Sequence, residues 1–264
     1  MNLREFAEFH LPALEADEIR FNVQIAIITA AVNEPPPGFL HWTLGAPGHC
    51  ATMSPGRAIL LGNLDQSECH ELVHHAAVVD YPGVIGASET AHWFAEHASA
   101  RGVTFGERVP QRIHILTSRP HYPGAEGTAR EVTAADAPLL FEWLVAFRNE
   151  AVPHDPPIEQ AAIGKYAGSG RFFFWMKDGQ PVSLAAIARR SRNAASIAPV
   201  YTPPEHRGRG YAGSVTATVG ERIFAEGKTA ACLYTDLRNP ISNRCYAKIG
   251  FKPYCDSWHY LRLR

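Results

Sequence analysis

From residue 128 onward the apolar positions switch several times between a period near 3.6 and a period of two, which marks alternating helices and strands. Residues 129–132 form a short strand-like run. Residues 133–151 read as a helix, with Thr133 as N-cap, Asp136 in the first turn, and Leu140, Leu144 and Phe147 at helical spacing. A loop with three prolines at 152–157 precedes a second helix over 158–166. Two strands, 171–176 and 181–188, flank Asp178-Gly179, a pair that favours a tight hairpin. A strand at 194–201 leads to a helix at 210–226, which carries Val215, Val219 and Ile223 on one face and stops at Gly227. Residues 229–235 are a strand. Residues 239–249 are a helix capped by Asn239, with Pro240 at its first position and Gly250 past its end. One or two strands close the chain over 254–263. The order β-α-α-β-β-β-α-β-α-β-β predicts a mixed α/β domain.

The first half follows nearly the same order. Helical stretches cover 2–10 and 13–32, and strand-like runs cover 39–44, 50–53 and 58–61. Helices follow at 67–78 and 88–100, then strands around 103 and at 111–116. No residue-level self-similarity accompanies this echo, so a duplicated fold rests on element order alone. The segment 117–128, TSRPHYPGAEGT, has two Pro, two Gly and no apolar period, and reads as a linker. The expected domains are therefore 1–120 and 128–264. A lesser break, NEPPPG at 33–38, ends the second helical stretch.

At 264 residues, 46% hydrophobic and 19% charged, the chain can bury a sizeable core, and disorder, collagen and coiled coil are poor readings of it. Its net charge of −1 is unevenly spread. Residues 1–127 hold 7 Lys+Arg against 14 Asp+Glu, whereas residues 128–264 hold 18 against 12. A basic second half points to an anionic ligand there. The five cysteines, at 50, 69, 232, 245 and 255, form no CxxC and read as small buried thiols in a reducing compartment. The N-terminus MNLREFAEFH lacks an apolar signal core, and the most apolar stretch, 25–32, is too short to span a bilayer. The expectation is a cytoplasmic protein with neither membrane nor nucleic-acid partners.

The chemistry concentrates in APVYTPPEHRGRGYA, residues 198–212. A strand ends at Tyr201-Thr202, two prolines break it, and Arg207-Gly208-Arg209-Gly210-Tyr211-Ala212 enters the next helix. The first turn of that helix offers unpaired N–H groups at the positive end of its dipole, a natural seat for phosphate. Arg207 and Arg209 would add charge-assisted contacts, and Arg189, Arg190 and Arg192 could extend the patch. The segment is neither GxxxxGK[ST] nor a GxGxxG after a first strand, so a P-loop is excluded and a dinucleotide fingerprint disfavoured.

Arg207, Gly210 and Ala212 resemble the pyrophosphate loop of the GNAT superfamily of acyl-CoA-dependent N-acyltransferases, whose pattern is Arg/Gln-x-x-Gly-x-Gly/Ala. A second segment, TDLRNPISNRCYAKIGF at 235–251, resembles the family's next strand and helix, with Asn239, Tyr246 and the Gly250-Phe251 exit at matching places. Spacing puts Asn239, Asn243 and Tyr246 on one helix face, and Ile241, Cys245 and Ile249 on another, expected to face the core. The wording TPPEHRGRGYA is similar to a bacterial subgroup with two tandem domains of this fold, the first degenerate. Residues 1–127 contain no such loop at a strand-to-helix junction. The resemblance implies two GNAT-like domains, each a mixed, mostly antiparallel sheet flanked by helices.

It also implies transfer of an acetyl or other acyl group from acetyl-CoA to a primary amine, without a metal. In that family a backbone N–H of a splayed strand, here Val200-Tyr201-Thr202, meets the thioester carbonyl. The loop Arg207, Gly208, Arg209, Gly210, Tyr211, Ala212 and Gly213 holds the diphosphate. Asn239 holds the pantetheine arm or helps order the site, Asn243 on the same helix face is a further cofactor-binding residue, and Tyr246 stands at the general-acid position. No general base is assigned; Glu150, His154, Asp155, Glu205 and Asp236 are candidates. The acceptor, a small-molecule or peptide amine, the acyl length and the oligomeric state stay open. Two other readings stand beside this one. One is a non-catalytic acyl-CoA-binding protein of the same fold. The other is a zinc hydrolase built on His70-Glu71-Leu72-Val73-His74, an HExxH match on what reads as an amphipathic surface helix.

Overall fold

Capping residues mark where several helices begin in the structure, a computed structural model that describes residues 1–263. Helix α1 (Leu3–Glu15) opens with a reciprocal Asn2–Glu5 capping box, and α2 (Asn22–Asn33) follows a short turn region. The expected continuous helix over 13–32 is thus broken at 16–21. Strands β1 (Leu40–Thr43), β2 (Cys50–Met53) and β3 (Ile59–Leu61) lead to α3 (Gln66–Ala76), which begins with a capping box of Asp65 and Glu68. Next come β4 (Gly83–Ala87), α4 (Ser88–Ser99) and β5 (Phe105–Leu116). The sequence reading had no strand at 83–87. It also split β5, which is one strand of 12 residues.

The second half runs β6 (Thr128–Glu131), α5 (Ala137–Ala151), α6 (Gln160–Tyr166), β7 (Phe172–Lys177), β8 (Gln180–Arg190), β9 (Ala194–Tyr201), α7 (Tyr211–Ala225), β10 (Ala230–Asp236), α8 (Pro240–Ile249) and β11 (Lys252–Arg262). Asp178 and Gly179 have φ of 48° and 75°, the positive pair that a two-residue β7–β8 hairpin needs.

The chain divides into two compact units. One comprises 1–113, 236–238 and 254–264; the other comprises 114–235 and 239–253. The units do not coincide with a cut at 120–128: the closing residues from Tyr254 onward belong with the first, where β11 pairs antiparallel with β4 from Ser257↔Ala87 to Leu261↔Gly83. Strand neighbours in the first unit include β1-β2-β3-β4-β11, and in the second β10-β9-β8-β7-β6. Each unit has helices on both faces of its strands. In the second, Phe173 and Trp175 join a core with Val215, Val219 and Ile223 of α7, while Phe172 and Phe174 join Leu140, Trp143 and Leu144 of α5. This alternation is the period-two signature of a strand buried on both sides. In the first, Ala51 and Met53 pack with α3 and α4, and Cys50 packs with α1 and α2.

Each unit also contains one parallel strand pair bridged by a helix. In the first, β3 pairs with β4 at Ile59↔Val84 and Leu60↔Ile85. In the second, β9 pairs with β10 from Ala194↔Ala230 to Ser196↔Cys232. Among the described residues no helix is long and apolar enough to cross a membrane.

Candidate functional site

The parallel register of β9 and β10 ends at Ser196↔Cys232, although β9 runs on to Tyr201 and β10 to Asp236. The two strands part there, and the chain leaves β9 through a 3-10 turn (Pro204–His206) into α7. Gly210, with φ of 82°, is the N-cap, a left-handed conformation that costs an L-residue about 1–2 kcal/mol. The first N–H of this region to find a carbonyl is that of Ser214, which donates to Gly210 O at 3.1 Å. The N–H groups of Gly208, Arg209, Gly210, Tyr211, Ala212 and Gly213 donate to no described residue. Residues 207–210 are exposed, and the Arg209 guanidinium pairs with no described residue. Tyr211 is buried in the core beneath and anchors the helix. Six bare donors and a free cation at the dipole's positive end make a site for an oxyanion.

Arg207 is placed differently from the expectation that it faces phosphate. Its Nε donates to Thr202 O at 2.9 Å and its Nη2 to Glu150 Oε2 at 2.6 Å, so it ties the end of β9 to the last turn of α5. Arg190 pairs with Glu226 at 2.8 Å, beside the C-terminal end of α7. A 15-residue helix is about 22 Å long, so Arg190 is a helix length from the loop and does not extend the basic patch. Its neighbours Arg189 and Arg192 share that end of the β8–β9 hairpin.

The face of α8 expected to line a cleft is partly committed. Asn239 Oδ1 caps the N–H groups of Ile241 and Ser242 at 3.2 and 3.1 Å. Asn243 Oδ1 accepts from the Thr235 hydroxyl at 2.7 Å, and Asn243 Nδ2 donates to Asn239 O at 2.7 Å. His114 Nδ1 lies 3.4 Å from Thr235 Oγ1 behind them. Tyr246 is half-buried against the core, its ring edge-on to Phe251 with centroids 6.1 Å apart, and its hydroxyl bonds to no described residue. Burial, then the neighbouring Cys245, pushes its phenol well above the usual range, so it holds its proton. On the other face Ile249 is fully buried and Cys245 packs against the core, but Ile241 is 73% exposed. Ile241 sits in the first turn, where α8 has not yet reached the core.

Among the candidate bases, Glu150 is held by Arg207. Asp236 pairs with Arg238 at 2.8 Å. Burial pushes the His154 imidazole down and so favours its neutral form. The Tyr201 phenol, raised by burial and then by Glu150, closes the polar group at the end of β9. Val200 packs against the core, and the Thr202 hydroxyl lies 2.8 Å from that of buried Ser183.

The first unit presents a contrasting junction at the corresponding point. The N–H of Glu68 donates to Asp65 Oδ1 at 2.8 Å and that of Asp65 to Glu68 Oε2 at 2.9 Å. Gly62 and Asn63 N–H groups are taken by the carbonyls of Cys50 and Gly48. Two carboxylates thus occupy the start of α3, where an incoming anion would meet like charge. His70 and His74, farther along α3, have Nε2 atoms 3.4 Å apart, and Arg101 Nη1 stands 2.7 Å from His74 Nε2. A guanidinium at that distance competes with any cation for the lone pair. Among the described residues no group of three or more His, Cys, Asp or Glu side chains is arranged to hold a metal ion.

The sequence reading missed the seat of residues 117–126. Leu116 and Pro120 lie over Gly220 of α7. His121 N donates to Ile249 O at 3.2 Å, and Ala125 N donates to Ser214 Oγ at 2.7 Å. A Pro/Gly-rich stretch without period carries no signal for such packing; the spaced small residues Gly213 and Gly220 on α7 were the one hint of something crossing it.

Residues 176–263 match the family model described as FR47-like protein. No curated protein matches the chain. Among solved structures, a GCN5-related N-acetyltransferase from Kribbella flavida is 19% identical with a TM-score of 0.63, covering 93% of this chain and 96% of that one. A tandem GNAT protein from the clavulanic acid biosynthesis pathway is 12% identical with a TM-score of 0.57, covering 94% and 92%. A Drosophila protein is 12% identical with a TM-score of 0.69, covering 99% and 97%. The chain therefore shares the fold of these structures, a mixed α/β sheet with flanking helices that resembles the tandem GNAT arrangement.

Proposed function

We propose that the chain is an acyl-CoA-dependent N-acyltransferase that moves an acetyl group to the primary amine of a small molecule or peptide. The carrying observation is the run of six unclaimed N–H groups, Gly208 to Gly213, where β9 and β10 part. Their number, the exposed Arg209 and a first turn of α7 that carries no acidic residue and no side-chain cap among the described residues fit a diphosphate. When bound, acetyl-CoA supplies the acyl carbon as a thioester, so that a C–N bond forms with the amine and a C–S bond breaks.

The remaining work falls to this chain. The loop holds the diphosphate, with Arg207 turning from Glu150 toward it. An N–H of Val200, Tyr201 or Thr202 on the parted strand donates to the carbonyl oxygen. Tyr246 Oη gives its proton to the departing sulfur, and the proton that the attacking amine loses passes to water and restores the phenol. Asn239, whose Nδ2 is its spare donor, meets the pantetheine arm, and Asn243 orders the start of α8. The residues given these roles all lie in the second unit, 114–235 and 239–253, which is the catalytic domain; the first unit is a degenerate GNAT-like domain whose capped α3 does not take acyl-CoA. The working setting is the cytoplasm, with no nucleic-acid or membrane partner.

Isothermal titration of acetyl-CoA tests the reading, with Arg209→Ala and Gly210→Pro as controls that weaken binding. Wild type that binds nothing at millimolar ligand ends it. Thiol release with a panel of amines then separates a transferase from a silent acyl-CoA binder. Tyr246→Phe is expected to slow turnover while cofactor affinity stays within about twofold.

A further inference from the structure

Tyr122 lies in the strap that crosses α7. The strap is held on both sides of it, by His121 N on Ile249 O and by Ala125 N on Ser214 Oγ, and Trp175 Nε1 donates to Glu126 O at 3.2 Å. The Tyr122 ring lies over Gly213: a Cβ on that glycine would come within 2.4 Å of the ring's Cζ and Oη. Its hydroxyl also lies 3.3 Å from where a Cβ on Gly210 would be, and so stands beside Gly210 and Gly213, two of the residues whose N–H groups are bare.

That hydroxyl is poorly used by the protein. It points to Gly210 O at 3.4 Å, long for an O–H donor. The same carbonyl already accepts from Ser214 N at 3.1 Å and Ser214 Oγ at 3.2 Å. A carbonyl oxygen has two lone pairs, so the tyrosine is a third and surplus donor. Burial, then Cys245, raises the phenol above its usual range and keeps it an O–H.

On the functional reading above, we infer that Tyr122 is a further binding residue for the acyl donor, its hydroxyl turning from Gly210 O to an oxygen of the diphosphate. The strap then does more than join the halves of the chain: it completes the donor set of α7 from one side. A hydrogen bond to a charged oxygen contributes about 1.5 kcal/mol or more, roughly a tenfold change in affinity.

The test compares wild type and Tyr122→Phe with two donors, acetyl-CoA and S-acetylpantetheine, which ends before the diphosphate. Tyr122→Phe should raise the Kd and KM for acetyl-CoA roughly tenfold, leave kcat unchanged, and leave kcat/KM for S-acetylpantetheine at the wild-type value. Equal losses with both donors would make Tyr122 a packing residue and overturn the inference. So would unchanged acetyl-CoA affinity in Tyr122→Phe when wild type binds. Wild type that binds no acetyl-CoA removes the functional reading, and this inference with it.

Discussion

His10 is a buried base whose protonation should loosen the first unit. It is fully buried in α1, and its Nδ1 accepts from Gly48 N–H at 3.0 Å. The hydrogen must then be on Nε2, which donates to Thr43 Oγ1 at 3.0 Å. A second proton on Nδ1 would break the Gly48 bond and place a cation beside Phe6. Burial, then His49 and His41, lowers its pKa from 6.5 to about 4. The unfolded chain therefore binds more protons between those values, and stability falls as pH drops through that window. A gap of about 2.5 units at 1.36 kcal/mol each is about 3 kcal/mol, of which about 2 kcal/mol is lost between pH 7 and pH 5. Urea unfolding of wild type and His10→Gln at both pH values isolates this share, because carboxylates titrate alike in the two. The wild type should lose about 2 kcal/mol more than the variant over that interval. An imidazole NMR titration should place His10 near pH 4. A midpoint near 6.5, or parallel losses in both proteins, refutes the account.

Gly213→Ala should cost about 1–3 kcal/mol by forcing the Tyr122 ring aside, and in a Tyr122→Ala background the same change should stabilise α7 by up to about 1 kcal/mol. Equal effects in both backgrounds, read from urea midpoints, would show that the ring does not rest on that glycine. Asp136 accepts from Arg130 twice, at 2.8 and 2.9 Å, and from Thr133 N–H and hydroxyl at 2.7 and 2.8 Å. Asp136→Asn should therefore lower stability at pH 7 by about 1–3 kcal/mol, and thermal melts that match wild type would contradict this. Because Arg130 holds that carboxyl well below the usual carboxylate range, its contribution is present above about pH 4 and fades as pH falls further.

Much of this protein was written locally. The β7–β8 hairpin was legible from Asp178-Gly179, α8 from Asn239-Pro240 and Gly250, and the β9–α7 corner from Arg207 to Ala212, because each depends on φ angles, caps and spacing within a few residues. Those signals do not depend on what lies across the sheet. Strand β4 had no such signal. It is GVIGA, and a Cβ on Gly83 would come within 2.3 Å of Tyr260 O and one on Gly86 within 2.9 Å of Leu61 Cβ. It is a strand because β3 and β11 close on it from both sides, and that is a property of neighbours distant in the chain.

The same distinction runs through the site. Sequence alone determined that residues 207–213 would present glycines and N–H groups at a helix start, since helix geometry leaves the first turn unpaired whatever surrounds it. Tertiary structure alone decided that those groups stay unclaimed while their counterparts at α3 are capped by Asp65 and Glu68. It also decided that Arg207 turns to Glu150, that Ile241 projects outward, that the last strand joins the first unit, and that Tyr122 reaches α7 from 88 residues before Gly210. A side chain's partner is set by which surfaces meet, and that information lies in the packing of the whole chain rather than in any short stretch of it.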